Sequence, residues 1–377
     1  MQLGARDESG NPVDWWFIYK VPKLHGSTSS DKASGYEYSY FDAHSQSLSK
    51  STNTLDQENG ALRLTLQALF HKPADTTGWI LYNDEKPRGR RAKPTDNEHL
   101  GHCKGVLAFD TKSKTGFWLL HSWPQFPQLT ESELKRMPTP DYGQTFLCLS
   151  LDLATLNKIA AQMAEHQEPQ CFDDRAANIT HSEPLFALTR KLSPHPEPQA
   201  DVIDCQTRGG MKFKVLAKNR EWKHDFWNDF VVDQLKVNLR VETWIRGKVP
   251  PITDPSGTRK SDDIKFIDFN PLGIHYSWSE TNDHAKWGIS ETSNWICVGD
   301  INRMISQENR GGGTIAFQHS LLWAALSKTD RLDVPAGHTR ESVVAHLQQG
   351  HAKPRRQVNQ FWRFIQVLGL LLELLGF

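Results

Sequence analysis

Short apolar runs, separated by polar and glycine-containing stretches, recur along the first part of the chain. They have the length and the aromatic and branched residues typical of buried β-strands, and they lie at 14–20, 62–69, 78–83, 104–109, 116–120 and 144–150. Residues 152–165 then place apolar side chains at helical spacing behind Asp152, whose carboxylate suits a helix N-cap. The pattern predicts a group of strands followed by an amphipathic helix.

A polar tract with several prolines follows, and behind it the order of elements returns. The second series comprises a helix near 222–234, strands at 236–246, 264–269 and 273–278, a hairpin at 284–299 and a helix at 314–328. This recurrence predicts an α/β fold of two pseudo-symmetric halves, with mixed β-sheets flanked by helices. The predicted division is an N-terminal half over 1–165, a linker or surface loop over 166–204, a C-terminal half over 205–330 and a tail over 331–377.

The tripeptide His-x-Lys occurs three times, beginning at His102, His284 and His351. The first two copies open predicted strands that turn through polar residues and return as apolar strands, whereas the third runs from HAKPRRQ into a predicted helix. The returning strands end in polar pairs, which are His121 and Ser122 in the first hairpin and Asp300 and Asn302 in the second. Two copies therefore share an architecture that the third lacks.

The two matching motifs carry residues suited to phosphodiester cleavage. Residues i and i+2 of a strand face the same side, so each motif presents an imidazole and an ammonium group together. If the halves pack about a pseudo-two-fold axis, one pocket receives His102, Lys104, His284 and Lys286. One His can then attack phosphorus, the other can protonate the leaving oxygen, and the lysines can stabilise the non-bridging oxygens without a metal. We expect His102 to be the nucleophile and His284 the acid, although the symmetry also allows the reverse.

Several neighbouring residues are candidates for supporting roles. His121, Ser122 and Asn302 are predicted either to contact the reacting groups or to make structural hydrogen bonds. The basic run EKPRGRRAKP precedes the first motif and is either a DNA contact or a solvated loop, and its cations are Arg88, Arg90, Arg91 and Lys93. Cys103, between the first His and Lys, is predicted to be a small core residue.

Composition adds a dependence on pH. The 44 basic and 44 acidic residues balance at pH 7, which argues against constitutive binding to a polyanion. The 16 histidines would add positive charge in mild acid, where a phosphate-rich partner would bind more strongly. The sequence contains no HExxH, EF-hand or P-loop motif, and we expect neither a metal nor a cofactor.

Cysteine content and the two termini bear on compartment and partners. Five Cys without a CxxC predict neither a disulfide framework nor a zinc site and favour a reducing compartment. The N-terminus lacks the basic and apolar regions of a signal peptide, so we expect a cytoplasmic protein, one secreted by a non-standard route, or a mature form. The apolar tail QVNQFWRFIQVLGLLLELLGF is too short and too polar for a transmembrane segment. It is predicted to pack on the body or on a second subunit of a homodimer, with interfacial membrane binding as the alternative.

Beyond these motifs, the chain resembles the deoxyribonuclease II family of the phospholipase D superfamily. The blocks that carry the resemblance, in order, are SGNPVDWWFIYKVPK, WILYNDEKP, GHCKGVLAFD, GFWLLHSWPQFP, YGQTFLCLS, HAKWGIS, WICVGDINR and RGGGT. The resemblance implies a phospholipase D-like fold and a DNA endonuclease that works at acid pH without divalent metal and leaves 3'-phosphate and 5'-hydroxyl ends. Its HxK residues fall on His102, Lys104, His284 and Lys286, and a further functional histidine falls on His121.

One departure from the family concerns disulfides. Ala5 stands where secreted animal members have a Cys, which leaves Cys148 without that partner, so the lysosomal or extracellular setting of those members does not follow. Two other functions stay open at this stage. A lipid phosphodiesterase of the same superfamily would need an apolar entrance to the site, and a catalytically silent DNA-binding protein would be expected to have lost one of the four HxK residues.

Overall fold

The computed structural model describes residues 2–333, apart from 27–31, 72, 86–100, 136–140, 191, 194, 246 and 251–258. The basic run with Arg88, Arg90, Arg91 and Lys93 lies outside the described residues. So does the C-terminal tail from residue 334, with the third HxK copy and the predicted helix.

Strands outnumber helices in the described part of the chain. The strands are β1 (Trp15–Lys20), β2 (Leu24–His25), β3 (Lys32–Ala33), β4 (Glu37–Asp42), β5 (Ser49–Thr54), β6 (Thr77–Tyr82), β7 (Gly105–Asp110), β8 (Thr115–His121), β9 (Gln144–Asp152), β10 (Cys171–Arg175), β11 (Ala200–Gln206), β12 (Lys212–Lys218), β13 (Leu239–Thr243), β14 (Ser261–Asp263), β15 (Phe266–Asp268), β16 (Ser277–Ser279), β17 (Lys286–Ser290), β18 (Trp295–Gly299), β19 (Gly312–Gln318) and β20 (Asp330–Arg331).

The α-helices are few and mostly short. They are α1 (Ala61–Phe70), α2 (Glu131–Leu134), α3 (Leu153–Gln162), α4 (Pro184–Ala187), α5 (Val232–Leu235), α6 (Ile305–Glu308) and α7 (Ser320–Thr329). Tighter or wider helical turns lie at Met163–Gln167, Arg220–Trp222, Phe226–Val231, Asn270–Leu272 and Glu280–Asn282. None of the helices among the described residues is long and apolar enough to cross a membrane.

Two large sheets organise these strands. The first has the order β10-β6-β7-β8-β9-β1-β4-β5 and is antiparallel at every pairing. The second has the order β11-β12-β19-β18-β17-β13-β14, and its β13–β14 pair is parallel. The α/β class is therefore confirmed, while a mixture of strand directions is found only in the second sheet.

The alternation of side chains along the strands explains how the sheets pack. On β1, Trp15, Phe17 and Tyr19 join a core shared with β12, β17, β18 and β19 of the second sheet, whereas Trp16 and Ile18 face the other way. That outer face is covered by α1, and the outer face of the second sheet is covered by the helical residues 226–235. Because successive strand residues point to opposite sides, nearly continuous apolar runs fill a core on both faces.

Two element predictions are wrong. Residues 62–69, predicted as a strand, form most of α1, because Leu62, Leu66 and Leu69 share one buried helical face and the segment consists mainly of strong helix formers. The predicted helix at 314–328 begins as β19, whose Thr314, Ile315 and Phe317 are typical strand residues, and α7 starts only after His319, whose ring accepts a hydrogen bond from the Leu322 amide. In addition, β10 forms within the predicted linker and pairs with β6.

The two hairpins form as predicted, but the expectation that both HxK motifs lie on strands is wrong. β7 pairs with β8 and β17 pairs with β18, both antiparallel. His102 and Lys104 lie just before β7, and His284 lies just before β17, which begins at Lys286. The candidate site residues therefore lie where β7 and β17 begin and where β8 and β18 end.

Candidate active site

The first motif is fixed to the second half of the chain through its backbone and its ring. The His102 amide donates to the carbonyl of Gly311 at 2.7 Å, and His102 Nδ1 lies 2.5 Å from the carbonyl oxygen of Asp300. A carbonyl oxygen only accepts hydrogen bonds, so this contact requires the proton on Nδ1. Nε2 of a neutral His102 ring then carries the lone pair.

Asp84, two residues after the end of β6, contacts the charged groups around this ring. Its carboxylate lies 2.5 Å from Lys104 Nζ and 3.0 Å from the Arg310 guanidinium, and His102 Nε2 is 3.7 Å away. Burial alone would raise the pKa of Asp84, but Lys104, His102 and Arg310 hold it well below its usual range. The His102 ring therefore lies beside a carboxylate and two cations.

The second motif has an aromatic setting. The His284 ring is stacked on Tyr142, with centroids 3.9 Å apart and planes inclined by 9°, and it also packs against Trp244 at 4.1 Å. The His284 amide donates to the Gly143 carbonyl at 2.9 Å. A side chain at Gly143 would place its Cβ 2.7 Å from the carboxylate of Asp283, so this close approach requires glycine.

Asp283 holds the second motif to the first half of the chain. Its Oδ2 accepts hydrogen bonds from the Tyr19 hydroxyl and from the Trp278 indole, both at 2.6 Å. Its Oδ1 accepts one from the Ala285 amide at 2.7 Å. Because Ala285 lies between His284 and Lys286, these bonds set the backbone of the motif.

The lysines of the two motifs lie close enough for their charges to interact. Lys286 Nζ donates to the His284 carbonyl at 2.5 Å. Burial and the charge of Lys104 lower the pKa of Lys286 to about 7, although neighbouring carboxylates oppose the shift. Burial and the cations of Lys104, Arg310 and Lys286 likewise hold the pKa of His102 well below its usual value. The structure thus brings His102, Lys104 and Lys286 into one electrostatic site beside Asp300.

The three predicted supporting residues, His121, Ser122 and Asn302, differ in their surroundings. His121 is buried against Phe126, with ring centroids 4.4 Å apart, and burial together with the charge of Lys104 lowers its pKa to about 3. Ser122 donates to the Gln144 side chain at 2.6 Å and accepts from the Thr145 amide at 3.0 Å. These bonds connect the end of β8 to β9.

Asn302 is buried near the end of β18. Its Oδ1 accepts no hydrogen bond from the described residues. Cys103 is buried in the core shared by the sheets, as predicted, and none of the five Cys forms a disulfide.

Sequence reasoning did not single out several residues of this site. Asp84 lies in the family-like block WILYNDEKP, Arg310 in RGGGT, and Asp300 at the end of the second hairpin. No role was predicted for any of the three. Tyr142, likewise, opens the block YGQTFLCLS. The sequence feature that could have identified these residues is the presence of ionisable or aromatic side chains at strand ends within those blocks. Within the described ranges, no cluster of three or more His, Cys, Asp or Glu residues is arranged to hold a metal ion.

The chain is similar in sequence to known proteins of one family. The sequence model of the family described as Deoxyribonuclease II matches residues 5–331. The chain is 53% identical over 351 residues to the "Putative deoxyribonuclease-2" of Burkholderia thailandensis, covering 93% of this chain and 99% of the relative. It is 34% identical to the deoxyribonuclease-2 of Caenorhabditis elegans, covering 86% and 92%, and 33% identical to the deoxyribonuclease-2-alpha of Rattus norvegicus, covering 86% and 91%. The chain therefore belongs to the deoxyribonuclease II family of endonucleases.

Proposed function

We propose that the protein is a metal-independent acid endodeoxyribonuclease that hydrolyses DNA to 3'-phosphate and 5'-hydroxyl ends. The observation that carries the proposal is the meeting of the first HxK motif with Lys286 of the second around Asp84 and Asp300. Family membership supplies DNA as the substrate class. The catalytic set is His102, Lys104, His284 and Lys286.

In the proposed first step, Nε2 of His102 attacks phosphorus while the bond to the 5' oxygen breaks. The Nδ1 hydrogen bond to the Asp300 carbonyl supports His102 as nucleophile, because it directs the lone pair of the neutral ring to Nε2. His284 protonates the leaving oxygen, and the ammonium groups of Lys104 and Lys286 stabilise the charge on the non-bridging oxygens.

In the second step, His284 takes a proton from water, which attacks the phosphohistidine. The nitrogen–phosphorus bond breaks, the 3'-phosphate leaves and His102 is regenerated. The first step needs a neutral His102 and a protonated His284, so the titrations of these two residues belong to a coupled pair.

The pKa shifts favour activity in acid. Burial and nearby cations lower the pKa of His102. The nucleophile therefore stays neutral when the pH falls below the pKa of an ordinary histidine. Because burial lowers the pKa of Lys286 to about 7, this lysine carries its charge below that pH and loses it above. Activity should therefore decline on the alkaline side as Lys286 and the acid His284 lose their protons.

The strand order supports a phospholipase D-like pair of pseudo-symmetric halves. The first motif is followed by β7, β8 and β9, flanked in the sheet by β6 and β1. The second is followed by β17, β18 and β19, flanked by β13 and β12.

We propose supporting roles for His121, Ser122 and Asn302. A homodimer that forms through the C-terminal tail stays a prediction.

Plasmid nicking in EDTA, at about pH 5 and about pH 8, tests the proposal. We expect cleavage at the lower pH and little at the higher, with 3'-phosphate ends. Activity that disappears in EDTA and returns with magnesium would contradict the proposed roles of the lysines. Rapid quenching and mass spectrometry should place a phosphoryl group on His102, and a label on His284 would reverse the assignment.

A further inference from the structure

A buried lysine outside both motifs holds the segment that carries Arg310. Lys218 ends β12 and is fully buried. Its Nζ donates to three backbone carbonyls, those of Gln307 at 3.1 Å, Glu308 at 2.8 Å and Arg310 at 2.6 Å. An ammonium group has three N–H donors, and these three contacts match that number.

The carbonyls lie where α6 ends. This helix is four residues long, and the last carbonyls of a helix have no partner within it. The Gln307 carbonyl also accepts a hydrogen bond from the Arg310 amide at 3.2 Å. A positive charge at this end complements the helix dipole. Lys218 therefore acts as the C-terminal cap of a helix too short to be stable on its own.

The segment beyond α6 contacts the first HxK motif in two ways. The Arg310 guanidinium reaches Asp84 at 3.0 Å and the Gly101 carbonyl at 3.4 Å. The next carbonyl, that of Gly311, accepts the hydrogen bond from the His102 amide. A shift of this segment would thus move both a charge and a backbone anchor of the first motif.

We propose that Lys218 is a positioning residue that fixes Arg310 and the Gly311 carbonyl against His102. The inference rests on the proposed function of His102 as a nucleophile that must be neutral. Four charged side chains act on His102, which are Lys104, Asp84, Arg310 and Lys286. Of these, Arg310 is the one whose backbone Lys218 holds directly.

The electrostatic consequence has a definite sign. Arg310 lowers the pKa of His102, so release of its guanidinium raises that pKa. A higher pKa protonates the nucleophile earlier as the pH falls. The acid limb of kcat/KM, which reports the group that must be deprotonated, therefore moves to higher pH.

The surroundings of Lys218 suit an enzyme that works in acid. Burial lowers the pKa of Lys218 to about 7, with Glu308 and Glu168 opposing the shift and Arg310 adding to it. Below that pH the group is an ammonium with three donors, and above it a neutral amine with two. In the acid range Lys218 therefore has all three donors for its hydrogen bonds to the segment that carries Arg310.

The test compares the full-length wild-type enzyme with Lys218→Met, Arg310→Met and the double variant, by the pH profile of kcat/KM on plasmid DNA. We expect Lys218→Met to lose about 10- to 100-fold activity and its acid limb to rise by roughly one pH unit. Because Lys218 changes the pKa of His102 through the Arg310 guanidinium, the acid limb of the double variant should coincide with that of Arg310→Met alone. An unchanged limb in Lys218→Met, or limb shifts that add in the double variant, would overturn the proposal.

Two further variants separate this outcome from others. Arg240→Met removes a partly buried ion pair with Asp330, 2.8 Å long, in the same half of the fold, and should leave the acid limb in place. If Lys218→Met is not recovered folded, Lys218→Gln, which lacks the charge, should shift the limb in the same direction, and a wild-type limb in it would equally contradict the proposal. Full activity of His102→Ala would instead contradict the proposed function itself.

Discussion

The two HxK motifs share their histidine and lysine but have different environments. His102 lies among Asp84, Lys104 and Arg310, and its Nδ1 is held by a backbone carbonyl. His284 lies against the rings of Tyr142 and Trp244. Charged side chains lie around the first ring, whereas two aromatic rings pack against the second, whose backbone carbonyl accepts a hydrogen bond from Lys286.

The contrast is in line with the two chemical roles that we propose for the two copies of the motif. A nucleophile must be neutral and directed, which suits a ring among cations with Nδ1 occupied as a donor. An acid must present its proton at a fixed angle to the leaving oxygen, which suits a ring held by stacking. The proposed roles therefore rest on what the neighbouring strands supply rather than on the tripeptide itself.

Removing either imidazole should have the largest effect. We expect His102→Ala and His284→Ala each to lower kcat by about 10,000-fold or more, with the double variant little worse, because nucleophile and acid act as a unit. Plasmid nicking and circular dichroism on each variant check activity and folding. A folded single variant with substantial turnover would show that the two rings do not form one catalytic pair.

Replacing the second lysine should change the pH profile. Because burial and Lys104 lower the pKa of Lys286 to about 7, its charge is lost as the pH rises through that value. In Lys286→Arg the guanidinium stays charged, so the alkaline limb of kcat/KM should move up by about one pH unit even though turnover falls. An active variant with an unmoved limb would assign that limb to the acid His284 instead.

The aromatic setting should matter less than the imidazoles. Tyr142→Leu and Trp244→Leu each remove a ring from His284, and we expect about a 3- to 10-fold loss in kcat/KM, in line with the strength of aromatic pairs. Tyr142→Phe keeps the ring and is the matched control, expected to stay near the wild type. Equal losses in the Leu and Phe variants would mean that the hydroxyl, not the stacked ring, is what the site uses.

The third HxK copy should give the smallest effect. His351→Ala and Lys353→Ala should stay within about twofold of wild-type activity, because that copy precedes a proline and has no returning strand in the sequence. The same nicking assay applies. If either variant were folded and as inactive as His102→Ala, the catalytic pair inferred from the hairpins would be wrong.

The sequence predicts the part of the site that is local along the chain. Each motif sits beside its hairpin, so the pattern of apolar runs and turns suffices to find His102 and His284, and the structure brings Lys286 of the second motif to the first. Asp84 and Arg310 form an ion pair across 226 positions, and no periodicity connects them. Likewise, residues 62–69 fit both a strand and a helix, and only the choice of Leu62, Leu66 and Leu69 as the buried face decides between the two.

The buried ammonium groups of Lys218 and Lys286 link proton uptake to the stability of the fold. Burial lowers the pKa of each to about 7. In the unfolded chain both groups would have the ordinary lysine pKa of about 10.4. Between these values the unfolded chain binds more protons, so their contribution to stability rises with pH and is least favourable below about pH 7. A phosphate group bound beside Lys286 would favour its charged form, and we therefore expect anionic ligands to raise the melting temperature more in acid than in alkali.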